Sequence, residues 1–321
     1  MSNSKTLYRE FCTNEKSIPI FSQAWWLDVT AGENDWDVVI VEKNGEVLAA
    51  LPYVKKSRLW LTSLVQPPLT PTLGPWLSKS TAKYSKILGQ QKDLMEKLME
   101  QVPHFHHYQQ NWHYSQSNWL PFFWKHFKQT TRYTYILPDL SNEGALWAAL
   151  QENIRGDIRK ALNRFRLRVR DDLNIAAFLK LNRLVFDRQG IRLPYSESLV
   201  NSLDSACAKR SVRKIFIAED TQGRLHAGVY LIWDENSAYY LMGGGDPELR
   251  NSGATSLCMW EAIKFASTLT KRFDFEGSML EPVERFFRAF GAVQTPYFSV
   301  SKTPSKLLKT FFFLKDLKSG K

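Results

Sequence analysis

Two stretches of the chain share one pattern of apolar and polar positions. "VVIVEKNGEVLAALPYV" (38–54) reads as two strands closed by Asn44-Gly45, residue types that tolerate positive φ in a two-residue turn. "IFIAEDTQGRLHAGVYLIW" (215–233) repeats the order of strand, Glu, Gly-containing turn, Ala and strand. Glu42 answers to Glu219, Gly45 to Gly223 and Ala49 to Ala227, with a turn one residue different in length. Copies this far apart predict two related domains in tandem rather than a short-period solenoid. The expected division is 1–130 and 131–321.

After the second copy the period changes. "SAYYLMGGGDPELRNSGATSLCMWEAIKFASTL" (237–269) predicts a strand ending at Met242 and a loop holding Gly243, Gly244 and Gly245. A helix follows, in which Ala254, Leu257, Cys258, Ala262, Phe265, Ala266 and Leu269 recur at spacings of three and four. "KRFDFEGS" predicts a short strand with Asp274 and Glu276 on one face and Phe273 and Phe275 on the other. "PVERFFRAFGA" predicts a helix with Val283, Phe286, Phe287 and Phe290 on one side and Gly291 as its stop. The class is therefore α/β (mixed α+β). A glycine-rich loop running into a helix leaves outward-pointing backbone N–H groups, and with the helix dipole these favour a phosphate or another anion.

Composition narrows the partners. The chain has 321 residues, enough for two cores, and 44% apolar with 23% charged residues is the balance of a folded protein. A net charge of +11 favours anionic partners such as nucleic acid, anionic lipid or a phosphate-bearing small molecule. The densest basic run, "IRGDIRKALNRFRLRVR", is either a solvated helix face or a place where arginines such as Arg155 and Arg159 hold phosphates. No signal-peptide core and no apolar run of spanning length is seen, so no transmembrane segment and a cytoplasmic location are expected. Cys12, Cys207 and Cys258 lack CxxC spacing and are expected to be reduced and buried. His104, His106, His107 and His113 have no accompanying acid or thiol to complete a metal site, so no metal is expected.

From about residue 21 to 297 the chain resembles the FemAB-like branch of the GNAT acyltransferase superfamily. The resemblance rests on "FSQAWWLDV", "VLAALPYV" and "PPLTPTLGPWL" in the first half. In the second half it rests on "LWAALQENIRGDIRKA", "AYYLMGGGDPELRNSGATSL" and "DFEGSMLEPVERFFRAFGA". It implies two tandem GNAT-like domains, each a twisted mixed sheet flanked by helices. It also implies a donor site of the type R/Q-x-x-G-x-G/A, where backbone N–H groups hold the pyrophosphate of acyl-CoA. Here that is Arg250, Gly253, Ala254 and Thr255 beside Gly243, Gly244 and Gly245, with Thr255 departing from the small residue of the pattern. A side chain at Gly253 is expected to fill the space meant for phosphate.

On this resemblance Glu276 is the candidate general base, Asp274 its neighbour, and Ser278 either a catalytic hydroxyl or, from its capping-box spacing to Glu281, a helix cap. Either carboxylate could instead pair with Arg285 or Arg288. Arg155, Arg159 and Tyr240 are candidate acceptor-binding residues. The implied function is transfer of an acyl group, acetyl first, from acyl-CoA to an amine or hydroxyl, for instance on a nucleotide-linked or lipid-linked sugar of an envelope or polysaccharide precursor. A Fem-type transferase using aminoacyl-tRNA is the variant, though the long helical hairpin of such enzymes is not seen. A binder without turnover, holding nucleic acid through the arginine run, is the alternative of another class. The tail "SKLLKTFFFLKDLKSGK" either touches an anionic membrane at its inner face or docks on the second domain.

Overall fold

Both residues of the Asn44-Gly45 turn take positive φ, 53° and 83°, and join β1 (Trp36–Lys43) to β2 (Glu46–Arg58). The computed structural model describes residues 3–277 and 279–319, with side chains described as far as Lys315. The remaining strands are β3 (Leu61–Val65), β4 (Trp76–Leu77), β5 (His107–Asn111), β6 (Lys128–Leu137), β7 (Arg168–Arg170), β8 (Arg213–Glu219), β9 (Leu225–Trp233), β10 (Ala238–Gly245), β11 (Phe273–Asp274) and β12 (Val293–Lys302). The chain divides into two units, Met1–Arg132 with Pro296–Lys321, and Tyr133–Thr295.

In the first unit, β1, β2 and β3 pair antiparallel in series, β3 pairs parallel with β5, and β5 pairs antiparallel with β12. The alternation of β1 explains the layers. Val38 and Ile40 face a core shared with Tyr8 of the helix Asn3–Asn14, while Val39 and Val41 face one shared with Met95 and Leu98 of the helix Tyr84–Gln101.

The second unit repeats that series of pairings. β8, β9 and β10 are antiparallel in turn, β10 is parallel to β11, and β11 is antiparallel to β6. The two hairpins even share an irregularity. In β1–β2 the register slips after Val41↔Ala49, at Glu42↔Val47; in β8–β9 it slips after Ala218↔Ala227, at Glu219↔Leu225. A bulge placed identically relative to the Glu and Ala matched in sequence is the mark of a duplicated unit, because bulges are built features rather than accidents.

The units differ from the expected division in one respect: residues 296–321 group with the first unit. The reason is strand exchange. β6 follows the first unit's helix Leu120–Trp124 yet completes the second unit's sheet through Phe273↔Leu137 and Asp274↔Ile136. β12 follows the second unit's helix Glu281–Arg288 yet completes the first unit's sheet through Ser299↔Asn111 to Lys302↔Tyr108. The terminal helix Lys306–Ser319 accordingly packs in the first unit, Phe312 against His107 with ring centroids 4.9 Å apart, and not on the second as one expectation had it.

The exchange makes a prediction. A chain ending at Thr295 leaves the inner edge of β5 without its partner. Hydrogen exchange of the Tyr108–Asn111 amides should then accelerate by orders of magnitude relative to the full chain, whereas unchanged protection would mean that β12 is dispensable to the first unit.

Candidate functional site

The end of β10 shapes the second unit's main cavity. Gly244 lies directly under the helix Ile175–Arg188: a Cβ there would sit 2.6 Å from the Asn182 nitrogen and 2.7 Å from the Leu181 carbonyl carbon. Gly243 is equally constrained, because a Cβ would fall 1.8 Å from the Tyr240 hydroxyl. These two glycines are therefore explained by helix seating and by Tyr240, whereas a Cβ at Gly245 would make only ordinary contact, 3.7 Å from the His226 carbonyl oxygen. Asn182 donates to the Gly243 carbonyl at 2.6 Å and accepts from Tyr195 at 3.0 Å, which ties the helix to the strand. A register shift between Tyr240 and Met242 kinks β10 just before the glycines.

The cavity, about 230 Å³, is lined by Gly243, Gly244, Gly245, Arg250, Ala254, Thr255 and Tyr240, all singled out in the sequence. Val185, Arg188 and His226 join them. Sequence reasoning missed these three because the helix Ile175–Arg188 and β9 reach the loop only through tertiary packing. At the cavity's inner wall the helix Ala254–Ser267 begins, and its first-turn N–H groups have no acceptor within the helix. Two arginines and a helix N-terminus give the cavity an anion-binding character.

His226 is fully buried. Its Nε2 lies 3.1 Å from Asp220 Oδ2, which also accepts from Arg224 Nε at 2.7 Å. Burial alone would raise the Asp220 carboxyl; the hydrogen bonds from His226, Arg224 and the Gln222 and Arg224 backbone N–H groups outweigh it and hold the group well below the ordinary carboxylate range.

Gly253 does not line the cavity, which corrects the steric role expected of it. Its φ is +80°, it caps the helix, and a Cβ would meet the Asp157 carbonyl oxygen at 2.2 Å. The space it preserves is for the helix Glu152–Asn163, not for phosphate. Arg155 and Arg159 of that helix are also outside the cavity: they pair with Glu152 at 2.8 and 3.1 Å.

The carboxylates stand where β10 and β11 part. Their pairing ends at Tyr239↔Asp274, and β10 runs on to Gly245 paired only with β9, while the chain after Asp274 stays with β6 through the bond from Phe275 N–H to the Tyr135 carbonyl at 3.0 Å. Asp274 is buried, accepting from the Thr134 hydroxyl and from the Glu276 N–H, the latter at 2.8 Å. Burial pushes its pKa up to about 6 despite those two bonds. Glu276 has φ 59°, a left-handed conformation uncommon for Glu. Burial, then Asp274, then Asp234 raise its pKa well above the ordinary range.

Among the described residues neither carboxylate has an ion-pair partner; Arg288 pairs instead with Glu284 at 2.9 Å, and Glu284 also accepts from Tyr135. Neither lines the cavity at the glycine loop, so the structure does not bring the acids and the loop into one pocket. Ser278 lies outside the described residues. Among the latter, no cluster of His, Cys, Asp and Glu could hold a metal ion.

This unit's strands, glycine loop and helix are those of a known class. Residues 148–287 match the family model described as Acetyltransferase (GNAT) domain. The matched stretch, most of the second unit, is thus similar to a GNAT acetyltransferase domain, which supports an acyltransferase. No curated protein matches the chain. Solved structures share the fold over nearly the whole length. FemX aligns with a TM-score of 0.68 at 14% identity, covering 93% of this chain and 96% of that one. L-PGS from Bacillus licheniformis gives 0.53 at 10%, covering 98% and 96%. The C-terminal domain of a protein named as a lysylphosphatidylglycerol synthetase, from Agrobacterium fabrum, gives 0.56 at 11%, covering 98% of each chain.

Two predictions follow from the geometry. Gly253→Ala should lower the melting temperature by the several degrees expected for about 2 kcal/mol or more, through positive φ and the Asp157 clash together. An unchanged melting temperature would remove the packing explanation. The second concerns pH. Because Asp274 holds its proton to about pH 6 in the fold and only to its ordinary value of 3.8 when unfolded, stability is fullest below that lower value. It then falls, by on the order of 2–3 kcal/mol, as pH rises through about 6. Glu276, raised as well, extends the decline upward. Denaturant titrations of Asp274→Asn across this window should show a flatter profile than the parent chain.

Proposed function

We propose that the second unit transfers an acyl group, acetyl in the simplest case, from acyl-CoA to an amine or hydroxyl acceptor. The observation that carries this reading is the cavity at the loop 243–255, where Arg188 and Arg250 meet the start of the helix Ala254–Ser267, whose first-turn N–H groups have no acceptor within the helix, and where Asp246 is the acid in the lining. That donor set fits a pyrophosphate. Thr255, exposed in the helix's first turn, leaves its N–H on the cavity side although it breaks the small-residue pattern.

Acyl transfer to an amine needs the nucleophile stripped of a proton, N–H donors for the oxygen of the tetrahedral intermediate, and departure of the thiolate. Glu276 is assigned the first task. It lies at the parting of β10 and β11, its carboxyl is raised well above the ordinary range, and among the described residues no cation pairs with it. Asp274, fixed by Thr134 and the Glu276 N–H, orients the backbone that carries Glu276 and keeps its proton affinity high. Tyr240, whose hydroxyl overlies Gly243 and whose pKa is raised by burial, lines the loop cavity and is assigned contact with the acceptor. In the attack the acceptor nitrogen bonds to the thioester carbon, its proton passes to Glu276, and the carbon–sulfur bond breaks with its electron pair on sulfur. An envelope or polysaccharide precursor bearing an amino sugar is the acceptor class we favour, in the cytoplasm.

The fold likeness to FemX keeps an aminoacyl-tRNA donor as a second reading, and the basic run 155–170 is its support. The two are separated by calorimetry with acetyl-CoA and by thiol release on turnover. Arg250→Ala should weaken acetyl-CoA binding about tenfold or more. Glu276→Gln should leave that binding intact and cut turnover by about 10²–10⁴. No measurable acetyl-CoA binding by the parent chain would reject the donor assignment, and normal turnover by Glu276→Gln would reject the base.

A further inference from the structure

The first unit holds a second cavity, far in kind from the first. About 180 Å³ in volume, it is walled by Phe105, Tyr108, Phe122 and Phe127, with Lys125 and Lys302 among its lining. Lys302, the last residue of β12, donates to the Lys125 carbonyl at 2.7 Å and lies 5.0 Å from the centre of the Phe127 ring. Burial and the charge of Lys125 pull the Lys302 ammonium below its ordinary range. Among the described residues neither lysine has a carboxylate within ion-pair distance, and Glu100 is the acid in the lining. An aromatic hollow with two neighbouring ammonium groups suits an anion with an apolar body.

Two elements next to this hollow in the chain carry exposed apolar side chains. The helix Leu120–Trp124 buries Pro121 and Phe122 and turns Leu120, Phe123 and Trp124 outward, each about half exposed. Four residues after Lys302, the helix Lys306–Ser319 begins. Its Phe312 docks on His107, the first residue of β5, while Leu307, Phe311 and Leu314, four and three apart, form an outward stripe that nothing in the chain covers among the described residues. Exposed Lys306 and Lys309 border that stripe. Solvent-exposed Phe, Trp and Leu ringed by lysines have the composition of a surface that sinks into the headgroup layer of an anionic bilayer, the rings among acyl chains and the ammonium groups at phosphates. Charge complementarity selects this occupant over an apolar protein face, which would leave Lys125, Lys302, Lys306 and Lys309 unpaired.

We propose that the first unit seats on an anionic lipid membrane through Leu120, Phe123, Trp124 and the stripe Leu307–Phe311–Leu314, with Lys125 and Lys302 at the mouth of the aromatic hollow binding a lipid headgroup. The surface belongs wholly to the first unit and does not depend on the acyl-transfer reading of the second.

The test is co-sedimentation of the full chain with phosphatidylcholine vesicles, with and without phosphatidylglycerol. Binding is expected only with the anionic lipid and should weaken with salt. Lys306→Ala and Lys309→Ala should each lower the partition constant about fivefold. Phe123→Ser combined with Trp124→Ser should lower it about tenfold or more, with an unchanged circular dichroism spectrum showing that the loss of the Phe123 contact with Trp119 leaves the fold in place. Lys271→Ala, an exposed lysine of the second unit, should leave it unchanged. No binding to anionic vesicles, or binding that these variants leave intact, overturns the proposal. So does a dimer, seen by sedimentation, that Phe123→Ser with Trp124→Ser dissolves, since that would give the face to a second copy of the chain.

Discussion

The seating of a helix against bare backbone at Gly244 is the contact on which the second unit's site depends. With any side chain at that position, the helix Ile175–Arg188 could not lie with its Leu181–Asn182 peptide on β10. Asn182 would lose its bond to the Gly243 carbonyl, and Val185 and Arg188, one and two turns further along the helix, would leave the cavity they line. The distance between helix and strand thus sets both the width of the anion site and the supply of one of its charges. Tyr240 is held by the same economy of space, since its hydroxyl occupies the volume that Gly243 leaves open.

A different balance operates at the end of β11. There a carboxylate is buried with two hydrogen bonds but no counter-charge, and the chain next enters a left-handed turn at Glu276 and Gly277. Gly277 is needed because its Cβ would lie 2.2 Å from the Tyr133 carbonyl oxygen. Two acids kept close in a poorly solvated place raise one another's proton affinity, which is costly for stability and useful for proton transfer. A purely structural pair would be expected to recruit one of the neighbouring arginines, yet Arg288 is committed to Glu284.

How much of this was legible in the chain depends on how local the determinant is. The Asn44-Gly45 hairpin was readable because two adjacent residues decide a two-residue turn, and the matched Glu and Ala positions proved to flank equivalent bulges. The loop 243–255 was readable for the same reason, as a run of glycines before an apolar period. The reasons for its individual glycines were not: Gly243, Gly244 and Gly253 answer to Tyr240, Leu181 and Asp157, whose proximity no sequence spacing reveals. Arg155 and Arg159 looked like phosphate ligands until the neighbouring Glu152 was seen to hold both. His226 carried no signal at all, being a single histidine in an apolar strand until β9 brings it to the cavity and to Asp220. The ownership of β6 and β12 was likewise hidden, since either strand has a pattern that would suit either sheet.

That exchange of final strands bears on how the chain is made. A polypeptide emerging from the ribosome delivers β1 to β5 early, but the strand that closes their sheet leaves the exit tunnel only after most of the second unit. Throughout synthesis of the second unit, β5 must wait with an open hydrogen-bonding edge, and its closure joins Tyr108 to Lys302 across most of the chain. The nascent first unit is therefore the species for which shielding by a chaperone matters most, and its final folding step waits on synthesis of the second.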